Sequence, residues 1–225
     1  MTALIEIKRG LAGLPTRIPH GITILDIEIA TACVHRHAVV AITGYTAELG
    51  ILAETVTAYA VVNGVGAIVV DNYNELNVIQ DICEKNNLEA FVLVRVNPCV
   101  AAHTYEAVQT AVPNSKFGFN VYGDALDFIS QIEKKYKNVN FLGLHCHVGS
   151  QIYDASAYTQ AIEIMTDFMV KLKDNGIECD ILDFGGGFGI YYTNEDPKFT
   201  PKMYAEQLGR VCKLIRESLD RKSVV

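Results

Sequence analysis

The first stretch suited to chemistry is an apolar run, residues 141–150, that ends in histidine and serine. Side chains alternate between the two faces of a β-strand, so His145 and His147 share one face while their apolar neighbours take the other. An imidazole and the hydroxyl of Ser150 at the end of a buried strand are typical of a ligand site in an α/β enzyme. The His145-Cys146-His147 triplet does not predict a metal site, because adjacent strand residues cannot all converge on one ion.

The second stretch is residues 181–189, where an apolar run is followed by three consecutive glycines. These glycines are Gly185, Gly186 and Gly187. Because they lack side chains, their backbone N–H groups are open to close approach, as a phosphate group requires. A packing role without a ligand is the alternative for the glycines alone. Together with the imidazole and hydroxyl of the first stretch, they predict a phosphate-bearing cofactor with a flat ring.

Composition limits the class of protein. The chain has 225 residues and is 50% hydrophobic, which is enough to bury a core in one domain or in part of a larger one. Its net charge is −7, and it has no Lys/Arg run, so we expect neither a nucleic-acid nor a membrane partner. The sequence predicts no transmembrane helix and no signal peptide. Six cysteines without a C-x-x-C pair favour a reduced, cytoplasmic protein.

From about residue 53 onward, apolar patterns alternate between strand and helix. Strands are predicted at residues 67–71, 91–96 and 179–184 and from Phe141, and helices at residues 53–63, 74–85, 125–137, 156–175 and 202–219. Residues 1–52 show only weak patterns, with strands predicted at 22–29 and 38–43. Strands that alternate with helices predict parallel pairing and right-handed crossovers.

Two parallel folds are compatible with this order, an open doubly wound sheet and a (β/α)8 TIM-type barrel. A dinucleotide-binding doubly wound sheet would carry G-x-G-x-x-G after its first strand, followed about 20 positions later by an acidic residue. The glycines here are contiguous and late in the chain, which is typical of the phosphate loop of a barrel. We therefore predict a (β/α)8 barrel, and expect it to be incomplete because few strands are clear.

Five motifs, in order, resemble those of the diaminopimelate decarboxylase family. They are Arg95-Val-Asn-Pro98, His103, Ser115-Lys-Phe-Gly-Phe119, Gly143-Leu-His-Cys-His-Val-Gly-Ser-Gln-Ile152 and Asp183-Phe-Gly-Gly-Gly-Phe-Gly-Ile190. The family consists of fold-type III decarboxylases that depend on pyridoxal phosphate, and it is related to ornithine and arginine decarboxylases. The resemblance covers about residues 53–215 and implies an alanine-racemase-like barrel of which strands four to seven are clear.

The resemblance implies pyridoxal 5′-phosphate as the cofactor and an amino acid as the substrate. It implies that His147 stacks on the pyridine ring, that Ser150 contacts the phosphate, and that Arg95 lies near the ring. The three glycines would cradle the phosphate through their N–H groups. The implied reaction is decarboxylation of meso-2,6-diaminopimelate to L-lysine by a cytoplasmic homodimer, with the cofactor as electron sink.

Two departures from the family pattern concern catalysis. Nothing in residues 1–52 matches the family's Schiff-base lysine, since Lys8 is the only lysine before Lys85. The chain also ends at Val225, before the family's C-terminal β-domain and its catalytic cysteine. We therefore predict an unmatched stretch, residues 1–52, followed by a partial cofactor-binding barrel, residues 53–225. No catalytic residue is predicted, because covalent attachment of the cofactor needs the lysine.

Three alternatives stay open. The first is an ornithine- or arginine-type decarboxylase. The second is a non-catalytic protein that binds pyridoxal phosphate, which the missing lysine favours for the isolated chain. The third is a non-functional fragment whose exposed barrel edges aggregate.

A smaller departure from the family pattern is Cys99, which stands where the family usually has glycine.

Overall fold

The computed structural model describes residues 39–41, 57–100, 117–153, 156–191, 193–194, 196–198 and 200–222. The strand predicted at residues 22–29 lies outside the described residues, as do Lys8 and His103. The strand predicted at residues 38–43 corresponds to a short strand, β1 (Val39–Ala41).

Strands and helices alternate along the described residues. The remaining strands are β2 (Ala67–Val70), β3 (Ala90–Asn97), β4 (Phe119–Asn120), β5 (Val139–His145) and β6 (Ile181–Asp183). The helices are α1 (Tyr73–Asn86), α2 (Ala125–Lys135), α3 (Ser156–Asp174) and α4 (Pro201–Lys222), and residues 57–62 are also helical. The predicted alternation is confirmed. The helix predicted to residue 137 stops at Lys135, because Tyr136 takes an extended backbone conformation.

Every strand pair is parallel, and the order across the sheet is β1-β2-β3-β5-β6, with β4 paired to the end of β3. Among the described strands, β1 and β6 are the two ends and do not pair with each other. The described sheet is therefore open. The parallel pairing and the helices between the strands confirm the prediction of a parallel α/β fold, and the described strands form part of a barrel without closing it.

Side chains of β3 alternate between two apolar environments. Val92 and Val94 are fully buried in the main core, which packs against the helices, whereas Leu93 belongs to a small cluster with Ala67 and Val69. Because strand residues two apart share a face, Arg95 lies on the face of Leu93. That face would be the interior of a barrel, and its carboxyl end is where ligands bind in this class of fold.

The first turn of helix α1 is capped by the side chains of Asn72 and Glu75, and the Glu75 carboxyl is buried there. The Asn72 side chain accepts a hydrogen bond from the Glu75 N–H (3.0 Å), and Glu75 Oε2 accepts one from the Asp71 N–H (2.8 Å). This reciprocal arrangement satisfies donors that a helix start leaves unpaired. It holds the buried Glu75 carboxyl at the carboxyl end of β2.

Candidate functional site

Three ionisable residues lie side by side at the carboxyl ends of β3, β5 and β6. Arg95 is opposite His145, and His145 is opposite Asp183, in the register of the parallel sheet. Arg95 is only 6% exposed, and its guanidinium carbon lies 4.7 Å from the centroid of the Phe117 ring. These three residues lie in strands that the sequence predicts, but the sequence did not predict that they form one row.

His145 is neutral in this row. Burial has the largest effect on its pKa and lowers it, Asp183 raises it, and Arg95 and His147 lower it, with a net pKa of about 4. Loss of solvation disfavours the charged imidazolium, so the His145 side chain is a neutral imidazole at pH 7. Nδ1 of His145 is buried and has no hydrogen-bond partner among the described residues. The arrangement offers a ligand an uncharged imidazole beside a guanidinium.

His147 and Ser150 lie against the predicted glycines. A Cβ atom added to Gly185 would lie 3.1 Å from Nδ1 of His147, and one added to Gly187 would meet the Gly149 carbonyl oxygen and lie 3.4 Å from Cα of Ser150. Gly185 and Gly187 also have φ values of +65° and +99°, a region that favours glycine. Glycine is therefore required at both positions by space and by backbone conformation.

Two loops carry these residues, and they pair with each other. We call residues 146–153 the histidine loop and residues 184–190 the glycine loop. The Ile152 N–H donates to the Gly187 carbonyl and the Gly189 N–H donates to the Ile152 carbonyl, both at 2.9 Å. These reciprocal hydrogen bonds form a short parallel bridge between the loops. The histidine and the glycines are thus held as one unit.

Side chains reinforce the pairing of the loops. The Gln151 amide donates to the Ile190 carbonyl (2.9 Å) and accepts from the Ile190 N–H (3.0 Å). The Tyr158 hydroxyl donates to the Gly186 carbonyl (2.7 Å), and the Asp183 carboxylate accepts from the Gly185 N–H (2.8 Å). Each contact fixes a peptide group of the glycine loop.

The glycine loop keeps an open side. A Cβ atom added to Gly186 would meet nothing within 4 Å. In the described part of the chain, the N–H groups of Gly186 and Gly187 and the hydroxyl of the exposed Ser150 make no hydrogen bond. Several hydrogen-bond donors next to open space are what a phosphate group requires. The residues present therefore fit a phosphate-bearing cofactor.

The structure brings His147 and Ser150 together with the three glycines, and it places Arg95 on a neighbouring strand end. That these residues bind a cofactor stays a prediction. Sequence reasoning missed Tyr158 and the loop-pairing role of Gln151. Tyr158 carried no local signal, because its partner lies 28 positions away in the chain. Asp183, the first residue of the fifth motif, accepts a hydrogen bond from the Gly185 N–H and so links β6 to the glycine loop.

Cys99 has a φ of 59°, in the left-handed region. Its N–H donates to the side-chain oxygen of Asn97 (2.8 Å). This backbone conformation favours glycine. Cys99 therefore adopts a backbone conformation that glycine, the usual residue of the family at this position, adopts readily.

The described part of the chain contains neither a cluster of metal-ligating side chains nor a membrane-spanning helix. No three His, Cys, Asp or Glu side chains there are grouped as a metal site would require. None of the helices in the same residues is long and apolar enough to cross a membrane.

Comparison with known sequences bears on the same residues. Residues 51–225 match a family model described as pyridoxal-dependent decarboxylase, pyridoxal binding domain. The chain is 37% identical over 145 residues to the diaminopimelate decarboxylase of Bacillus methanolicus, covering 64% of this chain and 34% of that protein. It is 36% identical over 141 residues to that of Methanocaldococcus jannaschii, covering 62% and 32%. The chain spans about a third of the length of these relatives.

Solved structures show the same relationship. The diaminopimelate decarboxylase of Helicobacter pylori, complexed with L-lysine, superposes with a TM-score of 0.65 at 25% identity, over 81% of this chain and 42% of that one. The enzyme of Methanocaldococcus jannaschii superposes with a TM-score of 0.60 at 29% identity, over 74% and 38%. With the family model matching most of its length, the chain belongs to the family of pyridoxal-dependent decarboxylases.

Proposed function

We propose that residues 53–225 are the cofactor-binding part of a decarboxylase that converts meso-2,6-diaminopimelate to L-lysine. The observation that carries the proposal is the open glycine loop, whose unpaired N–H groups lie against Ser150 and beside His147. The substrate is supported by relatives named diaminopimelate decarboxylase at 33–38% identity. A related solved structure with bound L-lysine, the product of this reaction, agrees with it.

In this proposal each residue has a distinct task. The N–H groups of Gly186 and Gly187 and the Ser150 hydroxyl hold the phosphate of pyridoxal 5′-phosphate. His147 packs against the ring, and Arg95 supplies a positive charge at the same edge of the sheet. When bound, the cofactor supplies an electron sink for the carbanion that remains after CO2 leaves. The protein contributes orientation and electrostatics.

Residues 1–52 form a separate stretch in this proposal, and they contain no lysine in the context that the family uses. We expect the isolated chain to bind the cofactor without turnover. The whole protein to which this region corresponds would act on its amino-acid substrate as a cytoplasmic homodimer.

The test is a titration of the 225-residue chain with pyridoxal 5′-phosphate, followed by protein fluorescence. The wild-type chain should bind, and Gly186→Val should weaken binding at least tenfold, because its Cβ enters the open side of the loop, where it meets no protein atom within 4 Å. The matched control is Gly209→Val on α4, where an added Cβ also meets nothing within 4 Å. A wild-type chain that does not bind, or a Gly186→Val variant that binds as well, would overturn the proposal.

A further inference from the structure

We infer that Tyr158 is a positioning residue of the phosphate site, which it serves by aiming the Gly187 N–H at the ligand. This role rests on the proposed function and deepens it. The Tyr158 hydroxyl would not touch the cofactor. It acts through the peptide group that joins Gly186 to Gly187.

The peptide group between Gly186 and Gly187 is oriented by Tyr158. The Tyr158 hydroxyl donates a 2.7 Å hydrogen bond to the Gly186 carbonyl oxygen. A trans peptide is planar, and its C=O and N–H bonds point in opposite directions. The Gly187 N–H therefore points away from Tyr158. Since Tyr158 is 1% exposed and Gly186 is exposed, this direction leads out of the core and towards the open side of the loop.

The Tyr158 side chain is held in one conformation by its packing. Tyr158 lies in the first turn of α3, and its ring stacks on Phe188 with a centroid distance of 4.7 Å and an interplanar angle of 14°. A side chain packed in this way keeps its rotamer, so the hydroxyl stays in one place. The next peptide of the loop is fixed separately, because the Gly187 carbonyl accepts from the Ile152 N–H.

Without the hydrogen bond from Tyr158, the backbone of Gly186 and Gly187 would be free to change conformation. Glycine populates a wider range of backbone conformations than other residues. A peptide group between Gly186 and Gly187 would therefore rotate readily if its carbonyl were not held. Ordering it on binding would reduce affinity for the ligand. The Tyr158 hydroxyl removes this cost by holding the peptide group before the phosphate arrives.

The test compares Tyr158→Phe with Tyr136→Phe in the full chain. Both variants lose only a hydroxyl, and the Tyr136 hydroxyl donates a comparable 2.9 Å hydrogen bond to Asn77, away from the loops. Affinities are measured for pyridoxal 5′-phosphate, for pyridoxal without the phosphate, and for inorganic phosphate. The inorganic phosphate titration follows the Gly187 amide by NMR. Tyr158→Phe should weaken binding of the two phosphate-bearing probes about tenfold and leave pyridoxal binding unchanged, while Tyr136→Phe should change none of them.

The outcomes separate this role from the proposed function. A wild-type chain that binds neither pyridoxal 5′-phosphate nor inorganic phosphate would reject both. A wild-type chain that binds, together with a Tyr158→Phe variant of unchanged phosphate affinity, would reject the positioning role alone. Equal weakening of pyridoxal and pyridoxal 5′-phosphate would show that Tyr158 only supports the fold, and would also reject it.

Discussion

Glu75 is a buried carboxyl outside the proposed site, and it is protonated at neutral pH. Burial is the main cause that raises its pKa from 4.5 to about 8, and the charge of Asp71 adds to the shift. Hydrogen bonds from the N–H of Asp71 and from Asn72 oppose it. Oε1 of Glu75 has no hydrogen-bond partner among the described residues. A carboxyl that is desolvated and only half satisfied favours its neutral form.

This shift predicts a pH dependence of stability. Between about pH 4.5 and pH 8 the unfolded chain loses the Glu75 proton while the folded chain keeps it, so the free energy of unfolding should fall as pH rises. The decrease should be a few kcal/mol at most, since one pKa unit corresponds to about 1.4 kcal/mol. Glu75→Gln, which cannot ionise, should remove this decrease and be more stable than wild type at pH 8. Urea unfolding at several pH values measures the effect.

The control for this prediction is Glu178→Gln, which makes the same chemical change at an exposed position. It should leave the slope of stability against pH as in wild type. A Glu75→Gln variant whose stability still falls by the same amount between pH 5 and pH 8 would show that Glu75 ionises normally.

At the scale of elements, the pairing of the histidine and glycine loops depends on a strained residue. Gln151 has a φ of 57°, and its amide makes two hydrogen bonds with the backbone of Ile190. A non-glycine residue in the left-handed region costs about 1 kcal/mol. The side-chain hydrogen bonds across the loops offset that cost.

Two substitutions separate these effects. Gln151→Ala should lose the hydrogen bonds and keep the strain, and should lower the free energy of unfolding by about 1–2 kcal/mol. Gln151→Gly loses the same bonds but relieves the strain, and should be less destabilising by about 1 kcal/mol. Urea unfolding of both variants measures the difference. If alanine proves equal to glycine or better, the backbone at Gln151 is not strained.

At the scale of the whole molecule, the proposed cofactor site lies at one edge of an open sheet. No lysine of residues 1–52 matches the lysine that the family uses to attach the cofactor. The described sheet ends at β1 and β6, and Lys8 is the only lysine before Lys85. Phe91 and Ile181 on β3 and β6 are 44% and 37% exposed. The described residues thus place the proposed phosphate site on an open sheet rather than in a closed barrel interior.

This organisation predicts binding without covalent attachment. Borohydride treatment of the chain with pyridoxal 5′-phosphate should leave no lysine modified in stoichiometric yield, since covalent attachment of the cofactor needs a positioned lysine amine. Mass spectrometry of the digested chain measures the modification. An adduct on one lysine in near-stoichiometric yield would contradict the prediction and would identify the residue that replaces the family's lysine.

The sequence by itself determined the alternation of strands and helices and the position of the proposed binding residues at strand ends. These features depend on local periodicity and on glycines next to apolar runs, as at Gly185 and His147, which are visible without any partner. Cofactor chemistry could be predicted because the motifs follow one another in a recognisable order.

Only the tertiary structure decided which strand ends are neighbours and which side chains support the loops. The row of Arg95, His145 and Asp183 depends on the register of three strands that are distant in the chain. The contact of Tyr158 with Gly186 depends on how α3 packs against the glycine loop. The neutral state of His145 depends on its burial. Register, helix packing and burial arise from contacts between distant residues, and periodicity along the chain carries no information about them.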